Sequence, residues 1–323
     1  MHSETGDPVA DGRRPVTGII PVMLTPFRED GAVDYDGLDR LTDWYLANGA
    51  DALFAVCQSS EMQALTMDEK AAIARRVVSR VDGRIPVVAS GHTSNGAETQ
   101  RDELLAVAET GVDALILVTS RLDPEEEGEA TYHRRLDWLL SRLPDGMPLG
   151  LYECPWPYRR LLTDAEILAA ARSGRFVILK DVSCDLGTVT RRLELAAGTP
   201  LAIVNANAAI AFDAIKAGSQ GFCGVFNNFH PDLYAWLYHH AAEDPELATD
   251  LAAFLSLSAM AENLGYPGIA KIFHQRLGTF PSTKCRLMDY DPLERFWALG
   301  PILDTISSAG ERFRQRIKNS PSH

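Results

Sequence analysis

Little in this 323-residue chain would suit it to a membrane, a nucleic acid or an oxidising compartment. No apolar stretch approaches the roughly 20 residues that a membrane-spanning helix needs. Basic residues are outnumbered, 31 Lys and Arg against 44 Asp and Glu, and the formal net charge of −13 argues against polyanions, which reward basic patches. The five cysteines, Cys57, Cys154, Cys184, Cys223 and Cys285, are odd in number and show no C-x-x-C spacing, so a disulfide framework is not expected. Low-complexity sequence is confined to the acidic Asp123–Glu127, read as a helix N-terminus favoured by its dipole. Residues 1–14 are polar and read as a disordered lead-in to a soluble, cytoplasmic protein.

What the chain does have is a rhythm. Short runs rich in Val, Ile and Leu recur at Thr17–Leu24, Ala52–Val56, Ile85–Ala89, Ala114–Val118, Leu149–Tyr152, Phe176–Lys180, Leu201–Val204 and Gly221–Val225. Amphipathic stretches separate them, such as the one that opens at Thr66-Met67-Asp68-Glu69. Near-continuous apolar strands alternating with helices predict a parallel sheet covered on its outer face, and eight such units predict an α/β fold, a (β/α)8 TIM barrel. The barrel is assigned to residues 15–230. Residues 231–323 read as a C-terminal helical domain, with helices over Pro231–Ala242, Pro245–Leu264, Pro267–Leu277 and Pro292–Lys318.

Two strand ends carry chemistry. Tyr152 closes the fifth apolar run and Lys180 the sixth. An ammonium at the end of an apolar strand loses water, which favours a neutral amine able to attack a carbonyl. A snorkelling lysine is the plainer reading of the same residue. In a barrel, however, both residues lie on the face where active sites form. The Cys57-Gln58-Ser59-Ser60-Glu61 turn, rich in small hydroxyl residues, is a candidate anion nest or an ordinary serine turn. A metal site built from His92 and the strand-end cysteines is the weaker alternative, because zinc sites need three or four closely spaced ligands.

Several segments together resemble the dihydrodipicolinate synthase / N-acetylneuraminate lyase family. They are Gly18–Phe27, Cys57–Glu61 in the place of a Gly-Thr-Thr-Gly-Glu type motif, Tyr152-Glu153-Cys154-Pro155, Lys180, and Gly218–Gly224. The likeness runs from about Val16 to about Met288 in the family's order. It implies a class I lyase acting on a 2-oxo acid, without cofactor or metal. Lys180 would form the Schiff base and Tyr152 would be the general acid and base. Ser59, the amides around Ser59 and Ser60, Gln58 and Cys223 would bind substrate. Glu61 would hold the loop, and Lys271 would be a structural or surface lysine. A homo-oligomer, dimer or tetramer, is implied as well.

The departures from that family are specific. Gln58 replaces the first threonine, Leu122 falls where a neighbouring subunit's tyrosine is expected, and Pro157 takes the place of an arginine that binds the second substrate's carboxylate. Asn207 stands near a position that is often acidic. These changes predict an aldolase or dehydratase of a hydroxylated 2-oxo acid, such as a sugar acid, and not a lysine-pathway synthase. Arg121, Arg159 and Arg160 are the candidates for a relocated arginine. The rival readings are a non-catalytic 2-oxo acid sensor and a metal-dependent barrel lyase using His92, Asp181, Glu153 or a cysteine.

Overall fold

The structure, a computed structural model, describes residues 14–320; the lead-in expected over 1–14 therefore lies outside it except for Arg14. Eight strands form one all-parallel sheet: β1 (Gly18–Ile19), β2 (Leu53–Phe54), β3 (Val87–Ala89), β4 (Ala114–Val118), β5 (Leu149–Tyr152), β6 (Phe176–Asp181), β7 (Ala202–Asn205) and β8 (Gly221–Phe222). Their order, β1-β8-β7-β6-β5-β4-β3-β2, leaves β1 and β2 as the two ends. A parallel bridge between Val22 and Phe54 joins those ends. Met23 N donates to Phe54 O and Phe54 N to Pro21 O, each at 3.0 Å, so the sheet closes as a barrel.

The helices between strands are α1 (Tyr35–Ala47), α2 (Met67–Val81), α3 (Ala97–Ala108), α4 (Glu129–Leu140), α5 (Asp164–Ser173), α6 (Leu186–Ala196), α7 (Ala211–Lys216) and α8 (Pro231–His240). Local sequence explains where they start. Thr66 caps α2 and Thr163 caps α5, each in a reciprocal capping box with a glutamate, Glu69 and Glu166, that satisfies amide donors left open in the first turn. Inside the barrel the packing leaves no slack. A Cβ on Gly150 would stand 2.3 Å from Ile116 Cδ1 and 2.6 Å from Ile178 Cγ2, so β5 passes between its neighbours only because this residue has no side chain.

Several boundaries differ from the sequence reading. The ladders of β1, β2, β3 and β8 are shorter than their apolar runs; Pro86 cannot donate to a ladder, and a 3-10 turn begins at Val225. Helix α8 packs against β1 and α7. The acidic run is not the first turn of α4. That helix starts at Glu129, after Gly128 at φ +100°, while the Asp123 carboxylate accepts from Glu127 N (2.8 Å) and Gly128 N (3.0 Å) in the preceding loop.

The C-terminal helices are α9 (Pro245–Ser258), continued by a 3-10 turn over Ala259–Leu264, then α10 (Gly268–Arg276), α11 (Pro292–Arg295) and α12 (Leu299–Asn319). The single helix expected over Pro292–Lys318 is thus two. Pro301 has no N–H and is tolerated only in a first turn, so it begins α12 and cannot continue α11. No helix among the described residues is long and apolar enough to cross a membrane.

Candidate active site

Parallel register brings the chemical residues to one end of the barrel. Val118 of β4 pairs with Tyr152 of β5, and Tyr152 with Lys180 of β6. Lys180 is 5% exposed and Tyr152 3%. The Lys180 Nζ lies 4.4 Å from the centroid of the Tyr152 ring and 5.6 Å from that of Phe54. Among the described residues no carboxylate pairs with this amine. The two acids nearest in sequence are committed elsewhere: Glu153 and Asp181 both grip Arg192, and Glu153 also accepts from Leu162 N (2.7 Å) and Val182 N (3.0 Å). The buried Arg192 cluster therefore fixes the β5 and β6 strand ends and leaves neither carboxylate to pair with Lys180.

The wall around the pair is made of thiols. Cys57 follows β2, Cys154 follows β5 and Cys223 follows β8, and all three are buried. Burial pushes the Cys154 thiol up and the Cys223 thiol up to about 11, although Lys180 lies close enough to pull each part of the way down. They remain neutral. Burial also holds the Tyr152 phenol well above its ordinary range, assisted by Cys154 beside its hydroxyl. A phenol of this kind keeps its proton until a strong base develops next to it. His92, a ligand in the metal reading, is enclosed; its Nδ1 accepts from Val118 N at 3.1 Å, and burial lowers its pKa to about 4.

The Cys57–Glu61 turn divides into holding and open parts. Ser60 is a holding residue: its hydroxyl bonds Met23 O (2.7 Å) and Ala55 O (3.0 Å), and its amide donates to Cys57 O (3.1 Å). It has no donor left for a ligand. Gln58 lies closer to the reacting pair, with its Oε1 accepting from the Cys154 thiol at 3.3 Å and from Gln63 Nε2 at 2.6 Å. Ser59, 3% exposed, sits beside the Tyr266 hydroxyl, which a hydrogen bond from Asn228 Nδ2 positions at 3.0 Å. Tyr266 was not singled out from sequence. It precedes α10, outside the barrel, and only the fold carries it back to the mouth.

Glu61 has the tethering role expected of it, but its partners come from the C-terminal domain. Its carboxylate accepts from Lys271 Nζ (2.6 Å), Arg286 N (2.6 Å) and Leu287 N (2.7 Å). Lys271 is fully buried, so its role is structural and not that of a surface lysine.

The three candidate arginines differ in their freedom. Arg160 is clamped by Glu166 (2.6 Å) and lies 3.5 Å from Asp123. Arg159 is exposed and donates to Val182 O and Ser183 O. Arg121 is 5% exposed, bonds Asn95 Oδ1 through Nη1, and stacks 4.8 Å above the ring of Trp156. Asn207, near the often acidic position, turns its side chain to cap its own 3-10 turn.

Known proteins resemble this chain over most of its length. A 4-hydroxy-tetrahydrodipicolinate synthase from Saccharophagus degradans is 30% identical over 227 residues, 70% of this chain and 76% of its own. One from Phocaeicola vulgatus is 31% identical over 221 residues, 66% and 70% of the two chains. Among solved structures, the dihydrodipicolinate synthase from Acinetobacter baumannii complexed with pyruvate superposes with a TM-score of 0.79 at 20% identity, covering 90% of this chain and 99% of that one. A prophage protein of the dihydrodipicolinic acid synthase family from E. coli K12, also in complex with pyruvate, gives 0.77 at 21%, covering 93% and 99%. The model of the dihydrodipicolinate synthetase family matches residues 15–287, and the chain belongs to that family, one of lyases of the class I aldolase type.

Proposed function

We propose that the protein is a Schiff-base lyase that cleaves or dehydrates a hydroxylated 2-oxo acid, a sugar acid or a close relative, and that it is not a lysine-pathway synthase. The observation that carries this reading is the buried Lys180 amine, without a carboxylate partner and 4.4 Å from the Tyr152 ring. Lys180 attacks the C2 carbonyl and water leaves, giving an iminium. In cleavage, Tyr152 passes on the proton of the C4 hydroxyl while the C3–C4 bond breaks and its electrons enter the iminium as an enamine. In dehydration, a C3 proton leaves to form that enamine, whose electrons then expel the C4 hydroxyl as water with a proton from Tyr152. After cleavage the enamine takes up a proton at C3 and becomes an iminium again, whereas loss of the C4 hydroxyl regenerates the iminium directly; hydrolysis of that iminium returns the free amine in both cases.

Ser59, through its hydroxyl and its own amide, holds the C1 carboxylate in this scheme, with Gln58 and Cys223 shaping the pocket. The exclusion of synthase chemistry rests on Pro157, Leu122 and Gln58, none of which can carry the charge or hydroxyl that the synthases place there. We also take the protein to be cytoplasmic and a homo-oligomer, dimer or tetramer; the exposed Leu257 and Met260 beside α12 offer apolar surface for such a contact.

Pyruvate with borohydride tests the central step. One reduced adduct is expected on Lys180 by mass spectrometry, and none in Lys180→Ala. An adduct on Lys271, or none with any 2-oxo acid tried, overturns the assignment. Binding of 2-oxo acids without consumption of any would make the protein a sensor.

A further inference from the structure

The sulfur of Cys154 links the turn after β2 with the reacting tyrosine. An extended chain turns alternate residues to the same side. Glu153, on the outward side, reaches Arg192 on α6, so Tyr152 and Cys154 both face the interior of the barrel mouth. From there the Cys154 thiol donates to Gln58 Oε1, 3.3 Å away. Gln58 is held in turn by Gln63, whose Nε2 donates to the same oxygen at 2.6 Å. The hydrogen of the thiol is thus taken up by an amide oxygen, and the lone pairs of the sulfur are left for the Tyr152 hydroxyl beside it. Burial raises the pKa of the thiol, against hydrogen bonds from the Trp156 amide and the Tyr152 hydroxyl, and keeps it neutral.

Tyr152 has few other partners. Its ring meets Phe54 edge to face, with centroids 5.7 Å apart, and the Lys180 amine lies 4.4 Å from its own centroid. Among the described residues no nitrogen or oxygen hydrogen-bonds its hydroxyl, and this oxygen is not one of those sealed inside the protein without a partner, so it opens to the pocket. A phenol that gives up its proton in such surroundings becomes a buried anion, which is costly unless a donor turns towards it. Three thiols bear on Tyr152, and only Cys154 does so through a hydrogen bond. Cys57 directs its thiol at Met23 O (3.9 Å) and Ser60 Oγ (3.6 Å) instead. Rotation about the Cβ–Sγ bond of Cys154 carries its S–H from Gln58 to the tyrosine oxygen without moving the chain.

We propose that Cys154 is a positioning residue for Tyr152: its S–H turns from Gln58 to the Tyr152 oxygen when the phenol gives up its proton, and holds the phenolate until the proton returns. The inference rests on the Schiff-base reading for the step that takes the proton. In that step the enamine electrons form a C3–H bond with the phenol proton, the O–H bond breaks, and the C2–N bond becomes the iminium again. The charge left on the tyrosine oxygen then accepts the thiol hydrogen bond. The thiol redirects its hydrogen and never loses it. A hydroxyl at this position would serve in the same way, whereas an apolar group of the same size would fill the space and leave the anion without its donor.

The experiment follows pyruvate in deuterium oxide, reading hydrogen–deuterium exchange at C3 by NMR and the borohydride adduct on the same preparation. Cys154→Val should leave the half-saturation of adduct formation unchanged and slow the exchange about 10- to 100-fold, the scale of one hydrogen bond to a charged group. Cys154→Ser should recover most of the rate. A parent-like rate in Cys154→Val overturns the proposal. So does a Cys154→Ser variant as slow as Cys154→Val, or a slowing matched by an equal weakening of adduct formation, because either result would make the thiol a packing group. If the parent gives neither adduct nor exchange, the Schiff-base reading fails, and Cys154 is judged on the phenol alone. With difluorotyrosine in place of Tyr152, whose phenol ionises more readily, an absorbance titration should place the midpoint about one to two pH units higher in Cys154→Val than with Cys154 present, and close to the latter in Cys154→Ser. A midpoint indifferent to these changes removes the proposal.

Discussion

At the residue scale, the division of labour between Lys180 and Tyr152 makes a separable prediction. In the proposed mechanism the amine supplies the covalent bond and the phenol only moves protons. Tyr152→Phe should therefore still give the borohydride adduct, while turnover falls by roughly 10²-fold or more, the usual scale of general acid–base catalysis. Steady-state assay and adduct mass, read on the same preparation, check this. Turnover within a few-fold of the parent would move the proton-transfer role to Gln58 or to a bound water. The placing of Lys180 and Tyr152 side by side at strand ends was legible from sequence because each ends an apolar run, a signal that needs no knowledge of partners. The arginines were not. Arg121, Arg159 and Arg160 look alike in a string of letters, and only the clamp of Glu166 on Arg160 and the missing counter-ion of Arg121 separate them. Ser60 misleads for the same reason, since whether a hydroxyl faces a ligand or a backbone carbonyl is decided by the chain that packs against it.

At the scale of elements, the turn after β2 is held by the C-terminal domain. Glu61, at φ 56°, reaches the buried Lys271 on α10 and the amides of Arg286 and Leu287. The pair is almost wholly withdrawn from water, so removing one partner leaves an uncompensated charge. Lys271→Met should destabilise the fold by roughly 3–5 kcal/mol in urea unfolding. The double variant Glu61→Gln/Lys271→Met should cost less than the sum of the single changes, because it leaves neither charge behind. Strict additivity would show that the pair does not couple the turn to α10. Sequence periodicity gave the alternation of strand and helix but overestimated the ladders of β1, β2 and β8, because apolarity reports burial and not hydrogen-bond pairing. It also ran α11 and α12 together, since Pro301 is both a helix breaker and a helix starter, and context chooses between the two.

At the scale of the whole molecule, three histidines set the response to acid. His92, His230 and His274 are fully buried, and burial lowers their pKa values to about 4, about 4 and about 3. Their settings differ. His92 faces Glu103, Arg121 and Lys70; His230 lies between Arg314 and Asp232; His274 bonds Asn228 O at 2.9 Å and Thr279 Oγ1 at 3.2 Å. An unfolded histidine takes up its proton near pH 6.5. Below that pH the unfolded chain binds more protons than the folded one, so stability falls as pH falls. The loss begins near 6.5 and levels off only around 4 for His92 and His230, and lower for His274. Each group contributes up to about 1.4 kcal/mol per pH unit inside its window. His239 acts in the opposite direction, because its hydrogen bond to Asp51 raises its pKa and favours the folded state on acidification. Among the histidines, three lowered groups against one raised group predict a net loss, which the raised carboxyls of the buried Glu153 and of Glu262 offset in part. Urea midpoints measured at pH 7.5, 6.0 and 5.0 should decline in that order, and the decline should be shallower in His274→Gln, which keeps polar atoms near Asn228 and Thr279 but does not titrate. A midpoint that holds steady or rises between pH 7.5 and 5.0 would mean that these imidazoles gain protons without unfolding, and that the protein interior around them admits water.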